Sequence, residues 1–64
     1  MIGSNIRAAR QAAGLTQKQL AAKAEITTFQ HIGRWERNEL ETSLANLKKI
    51  AKALDKTLGE LAGD

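Results

Sequence analysis

Apolar residues recur at helical rather than strand spacing along almost the whole chain. Ile2, Ile6, Ala9 and Ala13 fall every three or four positions and predict a first helix over about 2–13. Arg7 and Arg10 lie off that stripe, and Gly14 stands where a helix end turns left-handed. Thr16-Gln17-Lys18-Gln19 has capping-box spacing: the threonine hydroxyl can accept from the Gln19 amide while the Gln19 side chain reaches back. Leu15 and Leu20 bracket it as a hydrophobic staple. A second helix is therefore predicted over 17–24, with Leu20, Ala21 and Ala24 inward and Lys18 and Lys23 outward.

Only a few residues separate this helix from the next start. Thr27 and Thr28 can each cap a third helix ending near Glu36, with Ile32 and Trp35 as its inward pair. The capping-box rule favours Thr27, because Gln30 then lies three residues on. A polar stretch, 37–42, reads as a loop. Ser43 opens a fourth helix over 44–54, whose Leu44, Leu47, Ile50, Ala51 and Leu54 form an apolar stripe. Lys48, Lys49 and Lys52 fall on its wet side and read as a solvated face rather than a second nucleic-acid patch. Asp55-Lys56 interrupts the pattern, and Thr57-Leu58-Gly59-Glu60 is a second capping box opening a short helix over 58–62, with Leu58 and Leu61 inside. The expected fold class is all-α: one compact five-helix domain over 1–64.

Composition points the same way. Ala, Leu and Ile supply most of the apolar residues, while Val and Tyr are absent, which starves any strand. With 64 residues and no cysteine, disulfides, thiolate metal sites and cysteine nucleophiles are excluded. A single histidine cannot build a histidine zinc site, so no metal and no cofactor are expected. No apolar run approaches the length of a membrane span, and no nucleophile–base pair supports an enzyme. The net charge of +3 permits nucleic-acid binding without establishing it. Residues 1–24 carry Arg7, Arg10, Lys18 and Lys23 and no acid, whereas 25–42 are locally acidic.

Two short helices joined by a tight turn, with the small Ala21 midway in the first, form a helix-turn-helix by physical description. The second helix then protrudes far enough to enter the ~12 Å major groove of DNA. A further match lies in Ile6-Arg7-x-x-Arg10, Gly14-Leu15-Thr16-Gln17-x-x-Leu20-Ala21, Ile32-x-x-Trp35-Glu36-Arg37 and Ser43-Leu44-x-x-Leu47-x-x-Ile50-Ala51-x-Ala53-Leu54. In that order and spacing the chain resembles the phage repressor/Cro-like (lambda repressor-like) helix-turn-helix family over nearly its whole length. The resemblance implies a domain that binds operator DNA, usually as a symmetric dimer, and regulates transcription. Glu25 and Asp55 stand where the family usually has glycine, and Thr42 where it has proline. One residue more than the common pattern lies somewhere in 25–30, and the family frame favours Thr28 rather than Thr27 as the cap.

With Ile32 and Trp35 inward, Gln30, Arg34 and Arg37 face outward, with Thr27 or Thr28 at the tip. Gln30 suits adenine N6/N7 and Arg34 guanine O6/N7. Phe29 either folds into the core or meets a thymine methyl, and Gly33 either permits a close approach or carries no role. The expected base contacts are Thr28, Phe29, Gln30 and Arg34, and His31 flanks them. Gln17, Lys18, Arg37 and Asn38 are the expected phosphate contacts, Gln17 chiefly through the resemblance. The resemblance also implies a largely buried ion pair between Arg10 and Glu36 and a dimer surface on the fifth helix and tail, 56–64, including Lys56, Leu58 and Leu61.

The expectation is a sequence-specific regulator of double-stranded DNA, repressor or Cro-like, cytoplasmic in a bacterial or phage setting, dimeric on a palindromic operator. The alternative is a protein-interaction helical module, antitoxin-like or an adaptor. A protein groove would want a contiguous apolar stripe on the third helix, and only Phe29 supplies one.

Overall fold

The computed structural model describes residues 2–63 as five helices: α1 (Ile2–Ala12), α2 (Gln17–Lys23), α3 (Phe29–Glu36), α4 (Leu44–Ala53) and α5 (Leu58–Ala62). Each contributes one fully buried side chain to a single core: Ile6, Leu20, Ile32, Ile50 and Leu61 in chain order. Trp35 packs beside them, with the His31 ring tilted against its own at a centroid distance of 5.9 Å.

The starts follow the sequence. Thr16 and Thr57 each close a full capping box, with Gln19 N donating to Thr16 Oγ1 at 3.1 Å and Glu60 N to Thr57 Oγ1 at 3.1 Å. Ser43 Oγ accepts from Asn46 N at 3.2 Å. Helix α3 is the exception. Thr28 occupies its N-cap position but makes no side-chain cap bond, so neither threonine performs the capping expected of it.

The ends share one device. Helices α1 to α4 each finish in a Schellman motif, in which one residue turns left-handed so that its own amide and the next one reach back into the last turn. For α2, Glu25 N donates to Ala22 O at 3.3 Å and Ile26 N to Ala21 O at 2.8 Å. The left-handed residues are Gly14 (φ 72°), Glu25 (φ 59°), Asn38 (φ 59°) and Asp55 (φ 57°). Only Gly14 adopts that conformation freely. Asn and Asp tolerate it, whereas a long side chain such as Glu pays roughly 1–2 kcal/mol in steric strain. Glu25→Gly is therefore expected to stabilise the domain by up to about 1 kcal/mol, net of the extra freedom glycine gives the unfolded chain. Asp55→Gly should change stability less. Thermal denaturation checks this, and a lower midpoint for Glu25→Gly would contradict the strain.

Two expectations for the core change. Ala13 is exposed, because α1 closes one residue earlier than its periodicity allows. Leu44, placed on the inward stripe of α4, is 60% exposed. Helical side chains tilt toward the N-terminus, so the first residue of α4 points past the end of the core while Leu47, Ile50 and Ala51 fill it.

Candidate nucleic-acid interface

Helix α3 separates its faces cleanly. Ile32, Gly33, Trp35 and Glu36 are buried, whereas Gln30, His31, Arg34 and, just past the helix, Arg37 are exposed. Thr27 and Thr28 are exposed at the leading tip. Phe29 is half-buried against the core, and Lys18 Nζ stands 5.1 Å from its ring centroid. The ring is thus shared between core and rim, with a cation on it.

The inner face is fixed by a polar cluster linking three helices. Arg10 Nε donates to Glu36 Oε2 at 2.6 Å and Arg10 Nη2 to Glu36 Oε1 at 3.2 Å. Arg10 Nη1 reaches the Leu15 carbonyl at 2.8 Å, and Gln17 Nε2 donates to Glu36 Oε1 at 3.2 Å. One carboxylate on α3 therefore ties α1 to the start of α2. Gln17, expected at phosphate, here lends its amide nitrogen to Glu36 and is half-buried.

The other expected phosphate contacts have partners of their own. Arg37 donates to Glu39 at 2.9 and 3.1 Å with both side chains exposed. That hydrogen bond and charge raise the Arg37 pKa and lower that of Glu39. Asn38 supplies the left-handed residue closing α3. Of the expected dimer residues, Lys56 lies 3.8 Å from Glu60 on the surface and Leu58 is half-buried. Leu61 is a correction: at 1% exposure it is enclosed by this chain's own core and offers no surface to a partner. Asp64, the end of the expected contact segment, lies outside the described residues.

Gly3 is the residue the periodicity does not reveal. A Cβ there would collide with the backbone oxygens of Trp35 and Glu36 and with Asn38 Oδ1, so bare backbone is what lets α1 lie against the end of α3. A glycine interrupting an otherwise helical run is the signal that could have flagged it.

A family model described as helix-turn-helix matches residues 6–61. The chain belongs to the helix-turn-helix family. An uncharacterized HTH-type transcriptional regulator, y4dL of Sinorhizobium fredii (strain NBRC 101917 / NGR234), is 39% identical over 54 residues, covering 84% of this chain. The chain spans 27% of that relative's length. No solved structure matches the chain. Within this helix-turn-helix domain α2 and α3 are the paired helices of the motif, and Gln30, His31 and Arg34 lie on the exposed face of α3. Among the described residues no cluster of three potential metal ligands occurs, and no helix is long and apolar enough to cross a membrane.

Proposed function

We propose that this domain binds double-stranded DNA in a sequence-dependent way and serves a transcriptional regulator, repressor or Cro-like. The observation that carries the reading is the composition of the exposed α3 face. Thr28, Gln30 and Arg34 present hydrogen-bonding groups suited to base edges, while Ile32 and Trp35 anchor the helix from behind. Phe29, the residue that would favour a protein groove, is half-buried with Lys18 over its ring. This weighs against the interaction-module alternative.

The mechanism has two parts. Lys18, Arg37 and the Gln17 carboxamide border the motif and would supply salt-dependent affinity through phosphates. Gln30 and Arg34 would supply sequence, reading adenine and guanine edges in the major groove. So few cations bind weakly, so two copies on half-sites about one helical turn apart are expected, meeting near Lys56 and Leu58. A domain working on DNA in this way belongs in the cytoplasm of a bacterium or of a phage-infected cell.

Selection of bound duplexes from random DNA across a salt series tests the reading. A palindromic site with salt-dependent affinity is the expected outcome, and binding that is absent or indifferent to salt overturns it. Arg34→Ala should relax one base position, costing about 1–3 kcal/mol of discrimination there. An unchanged selected site would remove Arg34 from the reading surface.

A further inference from the structure

Where α2 and α4 end, a cleft of about 360 Å³ is lined by Lys23, Ala24, Glu25, Lys49, Lys52 and Ala53. Ala24 and Ala53 are buried, at 5% and 6% exposure, and give it an apolar floor. The three lysines around that floor are exposed and enter none of the three ion pairs among the described residues. Lys23 and Lys52 each stand in the last turn of a helix, where a cation offsets the carbonyl end of the macrodipole. Lys49 sits a turn earlier in α4, so the helix end does not account for it. Glu25 is the single acid of the cleft, held left-handed at φ 59° where glycine would cost less.

We infer that this cleft is a docking surface for an acidic segment of another protein, with carboxylates on the lysines and an apolar side chain on the alanine floor. Charge complementarity and that floor together select the occupant. A phosphate chain has nothing to set on Ala24 and Ala53, and Glu25 repels it. A peptide supplies an apolar side chain as well as charge, and its backbone amides can donate to Glu25. The cleft also turns away from the surface proposed for DNA. Lys23 follows Lys18 by five residues, about 140° round the helix at 3.6 residues per turn. Lys18 is the one that stands over Phe29, and α4 packs chiefly on α2 and α5. The chain's own acidic loop is not the occupant, because Glu39 is engaged by Arg37 and Leu40 packs against the core. The inference goes beyond DNA binding and does not depend on it.

The test is selection of a random peptide library on the folded domain, followed by titration of the enriched peptide, made synthetically, into isotope-labelled protein. The enriched peptide should carry acids around an apolar residue. Amide shifts should gather on 23–25 and 49–53 and leave Gln30 and Arg34 in place. Lys49→Glu should weaken the peptide about five-fold at low salt and less at high salt, with an unchanged melting curve. Lys49→Arg should keep most of the affinity. Serine in place of the peptide's apolar residue should cost about ten-fold, the loss of one buried side chain. Failure to enrich any peptide, enrichment of basic or neutral ones, shifts centred on α3, or equal binding by Lys49→Glu overturns the docking surface. Self-association that Lys49→Glu abolishes overturns it too, by assigning the cleft to a second copy. If Lys49→Gln lowers the salt slope for a scrambled duplex by about the 0.9 that one phosphate contact contributes, the lysines serve nucleic acid and the proposal fails.

Discussion

Arg10→Ala is expected to unfold a substantial fraction of the domain under conditions where the wild type is folded. The Arg10 side chain is 12% exposed and that of Glu36 3%, so solvent does little to screen the pair. Removing the guanidinium leaves a buried carboxylate whose one remaining side-chain donor is Gln17 Nε2, at 3.2 Å. It also leaves without its partner the carbonyl of Leu15, the residue whose amide closes the end of α1 by donating to Arg10 O. Losing one partner of a buried pair typically costs about 3–5 kcal/mol. A domain of this length has a total stability of roughly 3–10 kcal/mol. The loss therefore takes a large share of what there is. Urea denaturation measures it, and a loss below about 1 kcal/mol would show that the pair is not a buried one.

A paired variant separates the charge from the packing. Replacing both partners by apolar side chains, Arg10→Met with Glu36→Leu, removes the stranded carboxylate and should recover much of the single-variant loss. It also deprives Gln17 of its acceptor, so the double variant should fold yet bind DNA less well. Stability and affinity are expected to part company there, because Glu36 holds both Arg10 and Gln17, the second of which is proposed to meet DNA.

The fold was largely legible because its signals are local. Two capping boxes and the Ser43 cap mark three helix starts with residues that satisfy exposed amides within one turn. The apolar periodicity then brings Ile6, Leu20, Ile32, Ile50 and Leu61 together without any long-range information. The start of α3 was less legible, since both threonines carry the chemistry of a cap while neither hydroxyl is used. Leu44 misled for a related reason: periodicity says which face a residue is on, not whether the core extends that far along the axis. In the candidate site, the outward Gln30 and Arg34 follow from the inward Ile32 and Trp35. The partners of Gln17, Arg37 and Asn38 do not, because they depend on how α1 and the loop after α3 pack across the motif.

Gly3→Ala is expected to destabilise the domain by about 3 kcal/mol, although alanine is ordinarily the better helix residue. Taken alone, the exchange should gain about 1 kcal/mol of helix propensity. The position allows no such gain. The new methyl would press into the Trp35 carbonyl oxygen, lie 2.8 Å from the Glu36 oxygen and 2.7 Å from Asn38 Oδ1. Two of those obstacles are backbone and cannot swing aside as a side chain would. Relief then requires α1 to lift from the end of α3, and overpacking of this kind costs 1–3 kcal/mol or more. The same shift would stretch the Arg10–Glu36 link and disturb Asn38, whose left-handed turn closes α3. Gly3→Ala should therefore lower the melting midpoint and also weaken DNA binding at temperatures where the variant remains folded. A midpoint equal to or above that of the wild type would mean that α1 can move away from α3 without cost, and that the contact does not set the position of the helix.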